Sequence, residues 1–185
     1  MSTVRQSRST LTALVAVGLG GLVAVALGVY GSVHQPTGRA ISTFGFDSMI
    51  AMKVWLGLVV GALALGQLVG ALWMYGKLGR PAPSWVGMGH RVSGLLAVLV
   101  SLPVAYHCLW SLGFASYDTR TLVHSIAGCL FYGAVVTKVL TLRGPATAGW
   151  ALPMAGGALF TAAVVTVLTS SVWYLNTVGV PSGAY

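Results

Sequence analysis

Imidazole is the side chain that ligates transition metals and exchanges protons near neutral pH. The stretch from His90 to His124 holds three of the chain's four histidines: His90, His107 and His124. The apolar run around His107 ends near Trp110. The polar connection SLGFASYDTR follows, and the next apolar run opens just before His124. If the two runs are antiparallel membrane helices, His107, three residues from the end of one, and His124, four residues into the next, lie at one depth. Helices joined by a short loop are usually neighbours, so the two rings are expected to face each other. Two imidazoles facing across a helix pair can hold a haem iron as axial ligands, a low-spin arrangement suited to electron transfer. The blander reading is two interfacial histidines hydrogen-bonded to backbone or to each other. Ionisable groups inside spans are costly, which makes a functional role the default.

A haem at that depth needs partners for its propionates. Arg120 lies one turn from His124, and Arg39 and Lys53 fall on the same side of the membrane under the topology below. Helix capping and topology account for Arg120 as an alternative, and snorkelling to the surface accounts for Lys53. His34, at the end of the first run, reaches about the same depth and could join His107 and His124 around zinc or copper. His90 lies 17 residues before His107, about 25 Å along a helix, near the opposite surface. With Arg91 and Ser93 it could form a pocket for a quinone head group, or anchor the helix at the interface.

The elements that must position these residues follow from composition. The chain has 185 residues, of which 56% are hydrophobic and only 6% charged, with a mean hydropathy of +0.86. So few charges cannot solvate a globular surface of this size. Five runs approach or exceed the roughly 20 residues that cross a bilayer core: about 11–33, 49–75, 85–110, 120–142 and 150–173. The sequence therefore predicts an all-α integral membrane bundle of five transmembrane helices, a single transmembrane domain over residues 1–185. The first run is too long for the hydrophobic region of a signal peptide, about 7–15 residues, and is read as an uncleaved span. Asp47 or Ser48 and Asp118 or Thr119 are candidate N-caps. Gly61, Gly66 and Gly70 offer small faces for close helix packing, and Pro103 predicts a kink one turn before His107.

Seven cations (Arg5, Arg8, Lys77, Arg80, Arg91, Lys138 and Arg143) fall on one side, and three (Arg39, Lys53 and Arg120) on the other. The positive-inside rule then puts the N-terminus in the cytoplasm and the C-terminus outside, as expected for a multi-pass plasma-membrane protein. The net charge of +8 is scattered at span ends with no compact basic patch, so it sets topology and does not point to nucleic acid. Cys108 and Cys129 read as apolar packing residues at different depths. No phosphate loop, nucleophile elbow or HExxH motif is present. Both acids, Asp47 and Asp118, lie outside the spans, which argues against a proton-driven transporter.

Five spans with histidines at helix ends resemble the small b-type membrane cytochromes, including cytochrome b561 and the ferric-reductase-like domains. Members of that class that stack two haems in one helix pair often carry a histidine near the place of Lys138, so the resemblance implies one haem b here. SLPVAYHCLWSLGF and DTRTLVHSIAGCLFYGAVVTKVLTLR are similar to a bacterial family of small multi-span proteins associated with Rieske-type iron–sulfur proteins. RPAPSW with GHRVSG is similar to the quinone-site segments of the succinate dehydrogenase membrane anchor. There Arg91 matches the family's arginine, and Gly87 stands where the family has serine. The expectation is an electron-relay subunit of an oxidoreductase complex, embedded in membrane lipid. It would work between quinol and an outer-face partner, a Rieske-type or cytochrome c protein, with His107 and His124 as axial ligands and Arg120, Lys53 or Arg39 on the propionates. The rival is a haem-free accessory subunit that stabilises a respiratory complex by helix packing.

Overall fold

The structure, a computed structural model, describes residues 2–144 and 149–181. Most of the GPATAG turn expected after the fourth span, and the end of the polar tail, lie outside the described residues. Every described element is helical, and five helices are long and apolar enough to cross a membrane. In hydrocarbon a helix satisfies each backbone donor and acceptor within its own segment, so the apolar runs fold this way. Helix α1 is Ser2–Val33, α2 Met49–Met74, α3 Trp85–Tyr106, α4 Thr119–Arg143 and α5 Ala151–Val167. A π-helical turn, His107–Leu112, prolongs α3, and a second, Leu168–Val172, leads from α5 into the short α6, Trp173–Thr177. The third and fifth spans thus run on past Trp110 and Trp173, to Leu112 and Thr177.

Local chemistry sets the helix starts. Ser48 Oγ accepts the Ala51 N–H at 3.0 Å and opens α2; Asp118 Oδ1 accepts the Thr121 N–H at 2.7 Å and opens α4. Each bond satisfies one of the donors that a helix N-terminus leaves free.

The order of helices in space is not their order in the chain. α4 packs on α1 and α5, while α2 packs on α3 and, less extensively, on α5. α3 and α4 do not pack closely, which corrects the expectation that these consecutive spans are side-by-side neighbours. The helices form an arc, α1–α4–α5–α2–α3, closed where the turn His107–Leu112 meets α1.

Glycine explains the pairing. A Cβ added at Gly133 of α4 would stand 2.6 Å from the Gly20 carbonyl oxygen of α1, so these two backbones touch with no side chain between them. The connection after α3 is also tied to α1. Gly113 adopts a left-handed φ of 71°, and the Phe114 N–H donates to the Gly31 carbonyl at 2.7 Å. A Cβ at Gly113 would come within 3.1 Å of that same carbonyl, so glycine is required there. The chain is drawn over α1 before α4 begins, and α4 descends beside α1.

Of the three glycines expected to admit close packing on α2, two do so. A Cβ at Gly61 would lie 3.2 Å from Val167, and one at Gly70 3.3 Å from the His90 ring, whereas Gly66 has nothing within 4 Å.

Candidate functional site

The end of the bundle carrying connections 34–48 and 113–118 is termed the upper end. In that half the arc of helices encloses a cavity of about 360 Å³, with walls from all five long helices. Most of the wall is apolar, from residues such as Val54, Leu109, Phe114 and Phe131. Its titratable side chains are Lys53, Cys108, Tyr117, Arg120, His124, Cys129, Tyr132 and Tyr174, with Ser101 paired to Tyr132. No carboxylate lines it. Both π turns flank it, one through Cys108 and Leu112 and the other through Ser170 and Ser171. A π turn carries an extra residue in its loop and is frequent at functional sites.

His124 reaches the cavity from the second turn of α4. Its Nδ1 lies 3.2 Å from Thr169 Oγ1 and 3.3 Å from the Thr166 carbonyl. The Thr169 hydroxyl is already donated to the Val165 carbonyl at 2.7 Å. Nδ1 must therefore be the protonated nitrogen, which leaves Nε2 with a lone pair. Arg120, one turn earlier, is fixed across to α5: Nη1 donates to the Thr169 carbonyl at 2.7 Å, and the guanidinium lies 3.7 Å over the Trp173 ring. Its carboxylate neighbour is Asp118, at 3.7 Å. The Asp118 carboxyl is held below its ordinary range, chiefly by the Thr121 N–H and then by the Thr121 hydroxyl, with Arg120 adding to the effect. That pair is the one salt bridge among the described residues, so Lys53 has no carboxylate partner there. Cys108 shares the cavity wall with Lys53 and His124. The floor of the cavity is the hydrogen bond between Ser101 and Tyr132 at 2.8 Å, which links α3 to α4.

His107 is placed differently. It is 2% exposed, and its Nδ1 donates to the Pro103 carbonyl at 2.7 Å. A carbonyl can only accept, so Nε2 again holds the lone pair, and that atom is buried without a partner. This is the tautomer of a metal-ligating histidine, whose second nitrogen is anchored by an outer group. Yet His107 is not a wall of the cavity. Successive helix residues are about 100° apart, and Cys108 takes the direction that faces the cavity. The structure therefore does not bring His107 and His124 to one space. His124 lines the cavity and His107 does not, so the two rings present different faces.

The remaining sequence candidates separate in the same way. His34 is stacked between Tyr30 and Trp110, with ring centroids 5.1 and 4.5 Å away, and is not part of the cavity wall. Among the described residues no group of three or more His, Cys, Asp or Glu is assembled for a metal ion, so the three-histidine zinc or copper alternative has no site. The Arg39 side chain is exposed on the 34–48 connection, and it is its carbonyl that is used, accepting from Ser111 Oγ at 2.8 Å.

At the lower end, His90 and Ser93 are drawn to α2 by Gln67, which donates to the His90 carbonyl at 2.5 Å and to Ser93 Oγ at 2.7 Å. Arg91 is exposed and not part of this cluster. Lys138 of α4 lies within electrostatic range of His90.

The sequence reading took Cys108 for an apolar packing residue and passed over Tyr132, Gln67 and the two π turns. Gln67 carried a visible signal, as the one amide side chain in the long apolar helix α2. Cys108 carried only its adjacency to His107, and the π turns carried none.

No curated protein and no solved structure matches this chain. Residues 12–182 match DUF6529, a family of unknown function, and with nearly its whole length covered the chain belongs to that family.

Proposed function

We propose that this protein is a b-type cytochrome subunit of the plasma membrane, relaying electrons between membrane quinol and a redox partner on the outer face through one haem seated in the upper cavity. The observation that carries the reading is the chemistry of the cavity wall. It combines apolar side chains from five helices with one imidazole, anchored through Nδ1, and two cations. A haem is an apolar ring with one iron and two carboxylates, and each part has a counterpart there. His124 would hold the iron, its ring oriented by Thr169 and the Thr166 carbonyl. Lys53 and Arg120, both on the cavity wall, would pair with the carboxylates, in surroundings of low dielectric where such pairs are strong. The haem, when bound, supplies the one-electron chemistry; the protein supplies position, electrostatics and exclusion of water. The upper end is the outer end, as the charge distribution expects.

The haem-free accessory subunit is the second reading, and the position of His107 outside the cavity favours it. The test is a dithionite-reduced minus air-oxidised visible spectrum of protein purified after expression with ample haem, with haem quantified against protein. A sharp b-type α band at about one haem per chain, lost in His124→Ala, supports the cytochrome reading. A flat spectrum from folded protein refutes it and leaves the accessory subunit.

A further inference from the structure

We propose that the hairpin joining α2 to α3 is a docking site for one anionic phospholipid at the lower end of the bundle, with Lys77, Arg80 and Arg91 around its phosphate. This site lies at the opposite end from the upper cavity and is independent of the haem reading. The chain carries only two acidic side chains, Asp47 and Asp118, and both stand at the upper end, just before α2 and α4. The lower end carries cations alone. Lys77, Arg80 and Arg91 are exposed there, and the one salt bridge among the described residues, Arg120 with Asp118, is at the other end. Their counter-anion has to come from the surroundings. Local structure gathers the three. Gly76, with a left-handed φ of 69°, follows α2, and the Lys77 N–H returns to the Leu72 carbonyl at 2.8 Å, which fixes Lys77 at the helix end. Pro81 and Pro83 stiffen the connection after Arg80. Packing of α2 along α3 holds that connection at the start of α3. Arg91 lies six residues beyond Trp85, where α3 begins, about 9 Å along the helix. Side chains lean towards the N-terminus of their helix, here the lower end, so Arg91 is directed back to the rim that carries Lys77 and Arg80.

The surroundings of Arg91 select a lipid over a soluble anion. Met88 and Leu95, three residues before it and four after, share its face of α3 and are 66% and 61% exposed. Tyr75 and Trp85 are exposed at the same end. A cation flanked on one helix face by bare apolar side chains fits a molecule in which a phosphate and an acyl chain are joined, with the phosphate on the cations and the chain along Met88 and Leu95. The guanidinium fork matches phosphate oxygens, and basic clusters at span ends recognise anionic head groups in this way. A choline head group brings its own cation to the phosphate; a glycerol head group does not, and leaves the charge for the protein. Arg143 is also a cation of the lower end, but it stands apart. It belongs to α4, which does not pack closely on α3, and α4 has its C-terminus there, so its side chains lean away from the rim.

The test uses the full chain in detergent and native mass spectrometry, which counts the lipid molecules bound to each chain. Phosphatidylglycerol is titrated against phosphatidylcholine with the same acyl chains. Each cation near a head group contributes on the order of fivefold in affinity, so wild-type protein is expected to hold one phosphatidylglycerol about tenfold more tightly than phosphatidylcholine, or better. Arg91→Gln should cut that preference about fivefold, and the triple variant Lys77→Gln, Arg80→Gln, Arg91→Gln should abolish it. Arg143→Gln is expected to leave it intact. The deacylated head group, glycerophosphoglycerol, should not compete. Equal binding of the two lipids by wild-type protein, a comparison that needs no variant, overturns the proposal. A preference that Arg143→Gln reduces as much as Arg91→Gln also overturns it, because it marks the diffuse charge of the lower end and not a site. Competition by the deacylated head group overturns the lipid as occupant and leaves a plain anion site. The visible spectrum that tests for haem is read separately, so failure of either reading leaves the other standing.

Discussion

The two halves of this bundle differ in how they use their hydrogen-bonding side chains. In the lower half they close on each other. Gln67 bridges α2 to α3 through the His90 carbonyl and Ser93 Oγ, and Ser93 Oγ donates onward to the Gly89 carbonyl at 2.7 Å. Glycines let the helices approach there: a Cβ at Gly94 would lie 3.0 Å from Gln67 Oε1. In the upper half, polar groups are anchored on one side and open on the other. His124 is held at Nδ1, Arg120 is held by Thr169 and Trp173, and Lys53 has no carboxylate, yet all three line empty volume. A polar side chain in a membrane span is costly in either case. Where its hydrogen bonds are completed by neighbouring helices, it specifies packing; where they are completed only on one side, it is available to a ligand. The lower cluster is not wholly closed, since His90 Nδ1 and Trp73 Nε1 are buried without partners, but its hydroxyl and amide are committed.

That contrast can be broken most sharply by exchanging the effects of substitutions at the two ends. His124→Ala should eliminate haem binding while leaving the helical content unchanged by circular dichroism. His90→Ala should retain haem at wild-type stoichiometry. If both variants lose haem equally, the upper cavity is not distinguished from the lower cluster.

A second comparison concerns packing. Gly133→Leu places a side chain against the Gly20 carbonyl and the Ala24 Cβ, 2.9 Å from where its own Cβ would stand. Such overpacking costs about 1–3 kcal/mol or more, and thermal unfolding in detergent should show a fall. Gly66→Leu, where the Cβ meets nothing within 4 Å, should leave the midpoint near wild type.

Gln67→Leu should lower stability by about 1 kcal/mol, the scale of interhelical hydrogen bonds in membranes, and leave the haem spectrum unmoved. The same assay on Tyr132→Phe, which loses the bond to Ser101, should show a similar loss accompanied by a shift of the haem band, because that bond floors the cavity.

The smallest effect is expected from Asp118. Its carboxyl is held below the ordinary range by bonds from Thr121, so the folded state favours the charged form. The stabilisation is present above the ordinary carboxylate pKa and is lost as pH falls through the lowered folded value. Wild-type protein should therefore lose a small increment of thermal stability on acidification through that window. Asp118→Ala should lack both the increment and its pH dependence.

The sequence by itself determined that five helices of membrane length would form, because length and hydropathy leave no other structure able to satisfy its backbone in lipid. It also narrowed the caps to two adjacent pairs, from which the structure selects Ser48 and Asp118. Only the tertiary structure decided which helices touch. Gly20 meeting Gly133, and Gly113 tying the connection to Gly31, set α4 against α1 and left α3 across a cavity. It alone decided which face of the α3 terminus turns to the cavity, so that Cys108 lines it and the buried His107 does not. Depth along a span is a local property, counted from its ends. Azimuth accumulates every π turn and kink, and is fixed only when another helix packs against the face.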